Sequence, residues 1–250
     1  MARLFFALFI LAAGLASPAW GDTLRVLTAG AFKQVVQEMA PEFEQRTGHK
    51  VLITNDTAGS LTRRIEQGEP FDIVIVTPAA LKALDQKDLL LPGTVVSLAR
   101  VGVGIAVKHG RPHPALNNVD DFILALKSAH KVAYIDPASG GSSGIYLQRL
   151  FQQLNLESTL SDKAVLVKGG LVAEKLVTDD ADLAIHQISE ILAVTGVDLV
   201  GPLPSAIQNY THYAGALSRQ TRNADAGRMF LTTLTSALAT RIMTSKGLER

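Results

Sequence analysis

The chain has 250 residues, 47% of them hydrophobic, and its 24 Lys and Arg residues nearly balance its 23 Asp and Glu residues. That balance argues against nucleic acid or an anionic membrane surface as a partner, because both require a basic excess. The chain has no cysteine, which excludes disulfides and thiolate zinc sites, so a hydrophobic core must hold the fold together.

The first 21 residues are typical of a secretory signal peptide. Arg3 precedes an apolar run over Leu4–Ala16, and the small residues Ala19 and Gly21 stand three and one positions before the predicted cleavage site. This arrangement predicts export of the chain from Asp22 onward. The run is shorter than the roughly 20 residues that span a bilayer, and an uncleaved N-terminal anchor is the alternative.

The predicted mature chain opens with strands and helices in alternation. Leu24–Ala29 reads as a buried strand, and Phe32–Thr47 has apolar residues at helical spacing before the helix-ending Gly48. Phe71–Val76 is almost continuously apolar, as parallel strands covered on both faces are. Such alternation predicts a parallel sheet with right-handed crossovers. The same reading gives a strand over Lys50–Asn55 and helices over Ser60–Gln67 and Ala79–Leu84.

The second half continues the α/β pattern. Val101–Lys108 reads as a strand with two glycines, which permit bending. Because no Pro/Ser-rich linker is present, we expect two lobes that share crossing strands, with Val101–Lys108 and Tyr210–Leu217 as the candidates. Further strands are predicted over Val132–Ile135, Ala164–Val167 and Leu183–His186, and helices over Val119–Lys127, Gly144–Leu154, Leu171–Thr178 and from Asn223.

Small and hydroxylic residues follow the first two predicted strands. Helix N-termini present free N–H groups, so these turns are candidate anion sites. The plainer alternative is helix capping by a hydroxyl beside a solvated lysine. The residues are Ala29, Gly30, Ala31 and Lys33 after the first strand and Thr57, Gly59 and Ser60 after the second.

A longer loop in the second half offers similar groups. Asp136–Gly144 (DPASGGSSG) carries the hydroxyls of Ser142 and Ser143 at the start of a predicted helix, and Gly170 opens another turn. The loop lacks the spacing and the lysine of a P-loop, so nucleotide binding is not supported. Ligands of open α/β sheets bind at the carboxyl ends of strands, and we therefore expect a cleft for a small anion.

A single histidine stands at a predicted strand end. His186 lies beside Gln187 and close to Glu190, where it can bind a ligand or transfer a proton, although a lone histidine is more often structural. No turn carries the G-x-S-x-G elbow of hydrolases, and the histidines form no H-E-x-x-H pattern. The sequence predicts no metal and no cofactor.

The chain resembles the periplasmic molybdate-binding proteins of ABC importers, within the type II solute-binding-protein superfamily. The resemblance spans the mature chain and rests on LRVLTAGA, TAGSLTRRIEQGEPFDIVI, IDPASGGSSGIY and LAIHQISE. It implies a periplasmic monomer that closes over a small anion and docks on an inner-membrane ABC permease. The implied fold is α/β and two-lobed, each lobe a mostly parallel sheet flanked by helices, with the ligand cleft between them. Residues 22–104 and 214–250 would form lobe I, and 105–213 lobe II.

The site motifs depart from the molybdate pattern. The hydroxyl that the family carries after the first strand falls at Ala31, and its binding tyrosine falls at Gln187. Fewer hydroxyls favour a polycarboxylate over a tetrahedral oxyanion. The segments AYIDPASGGSSGIY, AIHQISEI and GPLPSAIQNYTHYAGAL resemble a branch that contains a periplasmic aconitate isomerase. That branch implies a second possible function, a cofactor-free proton shift between trans- and cis-aconitate with His186 as the base. The groups that would hold carboxylates are those of Thr57, Ser142 and Ser143.

Overall fold

The computed structural model describes residues 22–250, and the predicted signal peptide, residues 1–21, lies outside the described residues. No helix of the described range is long and apolar enough to cross a membrane. The strands join in one curled sheet that runs through two lobes, with helices packed on its faces.

The first lobe has the strand–helix alternation that the sequence predicts. Three strands pair in parallel in the order β2-β1-β3, as expected for buried apolar runs joined by helices. Gly48 ends the first helix in the left-handed conformation, with φ of 76°. The elements are β1 (Thr23–Ala29), α1 (Gly30–Thr47), β2 (Lys50–Asp56), α2 (Ala58–Glu66), β3 (Ile73–Val76) and α3 (Pro78–Asp85).

A long strand, β4 (Val96–Lys108), connects the two lobes. The second lobe then contributes α4 (Val119–Ser128), β5 (Val132–Ile135), α5 (Ser142–Gln153), α6 (Glu157–Leu160), β6 (Ala164–Val167), α7 (Glu174–Val177), β7 (Leu183–Gln187), α8 (Ile188–Ile191) and β8 (Val197–Pro202). The chain ends with β9 (Tyr210–Leu217), α9 (Ala224–Thr233), α10 (Ala237–Ser245) and β10 (Leu248–Glu249). The strands β6, β5 and β7 are parallel. The first part of β4 pairs with β9 and its second part with β7 and β8.

Several short elements and one break differ from the sequence-based prediction. The helix predicted from Asn223 is two helices, because the Ser236 side chain accepts a hydrogen bond from Ala239 N–H and starts α10 anew. The helix predicted over Leu171–Thr178 is only the single turn α7. The short helices α6 and α8 and the strand β8 were not predicted.

The buried apolar side chains separate the two lobes. Two clusters on opposite faces of the first sheet contain only residues up to Val101 and from Tyr213 onward, whereas the other two contain only residues between Val103 and Leu203. The strand β4 therefore crosses between lobes, as predicted. The strand β9 does not cross, since it pairs along its length with β3 and the first part of β4. The division into 22–104 plus 214–250 and 105–213 stays a proposal.

Candidate functional site

A cavity of about 80 Å³ lies between the lobes, where the parallel strands end. The carboxyl ends of β1, β2, β5 and β7 meet at this cavity, and the last residues of these strands line it: Ala29, Asp56, Ile135 and Gln187. The volume exceeds the roughly 10–15 Å³ that holds one water, and the position is where open α/β sheets bind ligands. A larger cavity of about 400 Å³ opens near Arg25 at the other end of the first lobe and contains none of the predicted site residues.

Two helices begin at the cavity without a capping side chain. Ala29 precedes α1 and Gly141 precedes α5, and neither residue has a side chain that can accept a hydrogen bond from the first helical turn. By contrast, Thr57 caps α2 and Asn118 caps α4 through their side-chain oxygens. The first-turn N–H groups of α1 and α5 are therefore available to an anion placed between them.

The structure brings together all the predicted site residues except two. Gly59 and Ser60 do not line the cavity, because Ser60 donates its hydroxyl to Asp56 at 2.6 Å and the N–H of Gly59 donates to the Gly140 carbonyl at 3.1 Å. The predicted residues that line the cavity are Ala29, Gly30, Ala31, Lys33, Thr57, Ser142, Ser143, Gly170, His186 and Gln187.

A buried His–Glu pair forms one wall of the cavity. His186 is the penultimate residue of β7 and has only 2% of its surface exposed, and its Nε2 lies 3.2 Å from Oε2 of Glu190 in α8. The chain places them together because the strand stops at Gln187 and a helical turn starts at once. Within residues 22–250, Nδ1 of His186 is buried and has no hydrogen-bond partner.

Burial drives this pair toward its neutral form. Loss of hydration lowers the pKa of His186 from 6.5 to about 3 and raises the pKa of Glu190 from 4.5 to about 8. At neutral pH, the carboxyl of Glu190 therefore keeps its proton and the imidazole of His186 is neutral, with a proton on one of its two ring nitrogens. A protonated carboxyl can give a proton, and a neutral imidazole can accept one. The pair thus offers an acid and a base 3.2 Å apart.

A second buried polar group links the lobes beneath the cavity. The Nε2 of Gln187 in β7 donates to the hydroxyl of Thr211 in β9 at 2.8 Å, and Ser142 lies 3.4 Å from the same nitrogen. Tyr213, two residues along β9, also lines the cavity, and burial raises the pKa of its phenol. The phenol therefore remains a hydrogen-bond donor at physiological pH.

Charge around the cavity is mixed. Lys33 in the first turn of α1 lines the cavity and makes no ion pair with any residue that the structure describes. Asp56 also lines it, but its carboxylate accepts from Arg64 at 3.3 Å, and Arg64 also pairs with Glu69. Lys33 is therefore placed to attract an anion.

Sequence reasoning left out Glu190 and Tyr213 as site residues. Glu190 had a visible signal, since it follows His186 by four residues in AIHQISE. Using that signal required knowing that a strand ends and a helix begins between them. Tyr213 had no such signal, because β9 lies in the sheet between β3 and β4, a position that its own segment of the sequence does not indicate.

The fold and the site define a two-lobed solute-binding protein with an anion cleft. A model of the family described as bacterial extracellular solute-binding protein matches residues 24–249, and the chain belongs to that family. Among curated relatives, an aconitate isomerase from a Pseudomonas species is 33% identical over 233 residues, 91% of this chain and 87% of the relative. The molybdate-binding protein ModA of Escherichia coli is 26% identical over 206 residues, 80% of this chain and 79% of ModA.

Solved structures have the same fold. The periplasmic molybdate-binding protein of Azotobacter vinelandii superposes with a TM-score of 0.74 at 19% identity, over 91% of this chain and 99% of that one. The sulfate-binding protein SubI of Mycobacterium tuberculosis gives 0.70 at 15% identity, over 91% and 86%. The predicted resemblance to molybdate-binding-type proteins and the two-lobed α/β fold are confirmed.

Proposed function

We propose that this protein is a periplasmic isomerase of the aconitate type, which binds an unsaturated tricarboxylate between its lobes and moves a proton from one carbon to another. The buried pair of His186 and Glu190 in the cleft carries this proposal. The 33% identity to an aconitate isomerase supports the same substrate class. The predicted signal peptide and the periplasmic relatives support the location.

The proton shift uses both members of the pair. In the tautomer with a proton on Nε2, Nδ1 of His186 removes a proton from the methylene carbon of trans-aconitate and the negative charge spreads over the adjoining double bond and carboxylates. The carboxyl of Glu190 gives its proton to the former vinyl carbon, and Nε2 of His186 passes its own proton to Glu190. One proton leaves carbon and one returns, the double bond moves by one position, and cis-aconitate results. His186 is left with its proton on Nδ1, and exchange with solvent water after product release returns a proton to Nε2 and frees Nδ1 for the next turnover.

The surroundings favour this chemistry at neutral pH. A general acid works best with a pKa near the working pH, and the pKa of Glu190 is raised to about 8. The low pKa of His186 describes the buried ring beside a neutral carboxyl. Carboxylates bound next to the ring oppose that shift, because negative charge stabilises an imidazolium.

The remaining groups of the cleft bind and orient the substrate. The free N–H groups of α1 and α5, with the hydroxyls of Ser142 and Ser143, hold carboxylates and stabilise the charge that develops on them. Lys33 offsets part of the substrate's charge. Gln187 and Ala31 stand where molybdate binders carry hydroxyls, and this loss of donors favours a polycarboxylate over molybdate.

The second candidate is a monomeric solute-binding protein that delivers the same anion to an ABC permease. The family and the molybdate-binding relatives favour it. Both candidate functions use the same cleft and the same class of ligand. Only the isomerase converts that ligand, so a measurement of turnover distinguishes the two.

The deciding experiment is proton NMR of trans-aconitate with the purified protein in deuterated buffer. We expect cis-aconitate to appear and deuterium to enter its methylene group, because the proton that returns to carbon has exchanged with solvent. Binding without conversion would refute the isomerase and support the transport protein.

Two variants provide the control for this experiment. Glu190→Gln keeps a side chain that can hydrogen-bond Nε2 of His186 but has no acid proton, and His186→Gln removes the base. We expect both to bind trans-aconitate and to lose at least about 100-fold in turnover, the usual contribution of a general acid or base. Full activity in either variant would contradict its assigned role.

A further inference from the structure

The two lobes also touch beside the cavity, through α2 and the loop before α5. The hydroxyl of Thr57 donates to the Ser139 carbonyl at 2.7 Å, and the guanidinium of Arg63 donates to the same oxygen at 3.3 Å. The N–H of Gly59 donates to the Gly140 carbonyl at 3.1 Å. These five residues are called the latch below.

The latch bonds cross the cleft and are not part of the strand pairing of the sheet. In the order β2-β1-β3-β9-β4-β7-β5-β6, the strand before α2 is at one edge and β5 lies beyond β7, so strand pairing does not bring these turns together. Every latch bond joins protein atoms only. Its contribution to closure is therefore independent of which ligand occupies the cavity.

Two glycines make this close approach possible. A Cβ added to Gly59 would lie 2.7 Å from the Cα of Gly140, and a Cβ added to Gly140 would lie 2.7 Å from the Cα of Gly59. Gly140 also has φ of 80°, which disfavours any other residue. Each lobe thus carries a glycine where these two backbone segments touch.

We infer that the latch is a closing device, which holds the lobes together through protein–protein hydrogen bonds and shifts the open–closed equilibrium toward the closed, binding-competent state. A ligand that binds only the closed state gains apparent affinity in proportion to the population of that state. The latch therefore sets affinity and residence time without contacting the ligand. This inference does not rest on the proposed isomerase activity.

The test is Gly59→Ala. Position 59 lies within α2, where alanine is the better helix former, so the variant keeps its first lobe and loses the close approach. Gly201→Ala is the matched control, because a Cβ there has no atom within 4 Å. The chain has no cysteine, so the exposed pair Lys82→Cys and Gln153→Cys, one in each lobe, takes two spin labels for distance measurement.

We expect the parent protein to have a short interlobe distance in buffer without added ligand and Gly59→Ala to lengthen it, with Gly201→Ala unchanged. With trans-aconitate as the probe, Gly59→Ala should raise the dissociation rate roughly tenfold, the effect of losing about one hydrogen bond. Equal distance distributions in Gly59→Ala and the parent would overturn the inference, and so would a parent that is fully open. The measurement of the interlobe distance tests the inference even if trans-aconitate does not bind.

Discussion

At the scale of the residue, the pair of His186 and Glu190 makes stability depend on pH in a defined way. Between about pH 6.5 and 8, the native protein holds a proton on Glu190 that the unfolded chain has lost, so stability falls as pH rises. Between about pH 4.5 and 6.5, the unfolded chain has lost that proton but gained one on His186, and the two effects cancel. Below pH 4.5, the unfolded chain holds the extra proton and stability falls on acidification.

The variant Glu190→Gln tests the fall in stability that the Glu190 proton causes between about pH 6.5 and 8. We expect the free energy of unfolding of the parent to fall by about 2 kcal/mol between pH 6.5 and 8 relative to the variant, at about 1.4 kcal/mol per pKa unit. Glutamine has nearly the same shape and no proton to lose. Urea unfolding at several pH values in that range measures the difference, and parallel curves for the two proteins would show that Glu190 is not neutral in the native state.

The sequence identified most residues of the cleft because each followed a recognisable strand. Ala31 and Ser143 were found in this way, since helix N-termini and strand ends can be located from apolar runs and turn residues. Tyr213 could not be found by that reasoning. It reaches the cavity from β9, which runs antiparallel to its neighbours in the sheet. The order of strands in a sheet depends on contacts between distant segments, so no single segment of the sequence predicts it.

At the scale of the element, the sequence predicts segments with a clear apolar pattern and misses segments without one, whatever their length. The strand β3 reads as IVIV and is fully buried, so its burial pattern is visible in the sequence. The strand β8 pairs with a bulged part of β4; it is half-buried from Val197 to Gly201 and exposed at Pro202, without alternation of buried and exposed residues. The helix α8 is a single turn whose position depends on packing against α1.

The start of α5 shows how closely an element can be packed. A Cβ added to Gly144 in the first turn of α5 would meet the carbonyl oxygen of Ile135 at the end of β5. We therefore expect Gly144→Ala to lower the free energy of unfolding by about 1–3 kcal/mol, as overpacked sites do. Chemical denaturation checks this, with Gly201→Ala as the control expected to change it by less than about 0.5 kcal/mol. Equal stability of the two variants would mean that α5 can move away from β5 at no cost.

At the scale of the whole molecule, the buried apolar clusters of the two lobes are separate and are joined by β4 and the connection before Tyr210. Beside the cleft, the half-buried side chain of Ile188 in α8 packs against a cluster of the first lobe. Three sets of hydrogen bonds join the lobes across the cleft: the latch, the bond from Gln187 to Thr211, and the bond from the Ser189 hydroxyl to the Ala31 carbonyl. A ligand seated between α1 and α5 adds to these contacts only when the lobes are closed.

A ligand that binds only the closed state therefore raises the melting temperature, by an amount that grows with the logarithm of the ratio of its concentration to its dissociation constant. At 100 times its dissociation constant, a ligand adds about 2.7 kcal/mol, which for a chain of this size corresponds to a rise of roughly 5–10 °C. We expect trans-aconitate and citrate to produce rises of this order and molybdate, tungstate and sulfate to produce much smaller ones. The reason is that the cleft offers helix N-termini, Lys33 and a protonated Glu190 but lacks hydroxyls at Ala31 and Gln187. Thermal denaturation across this panel makes the comparison, and a larger rise with molybdate than with either tricarboxylate would mean that backbone N–H groups alone recreate the oxyanion site.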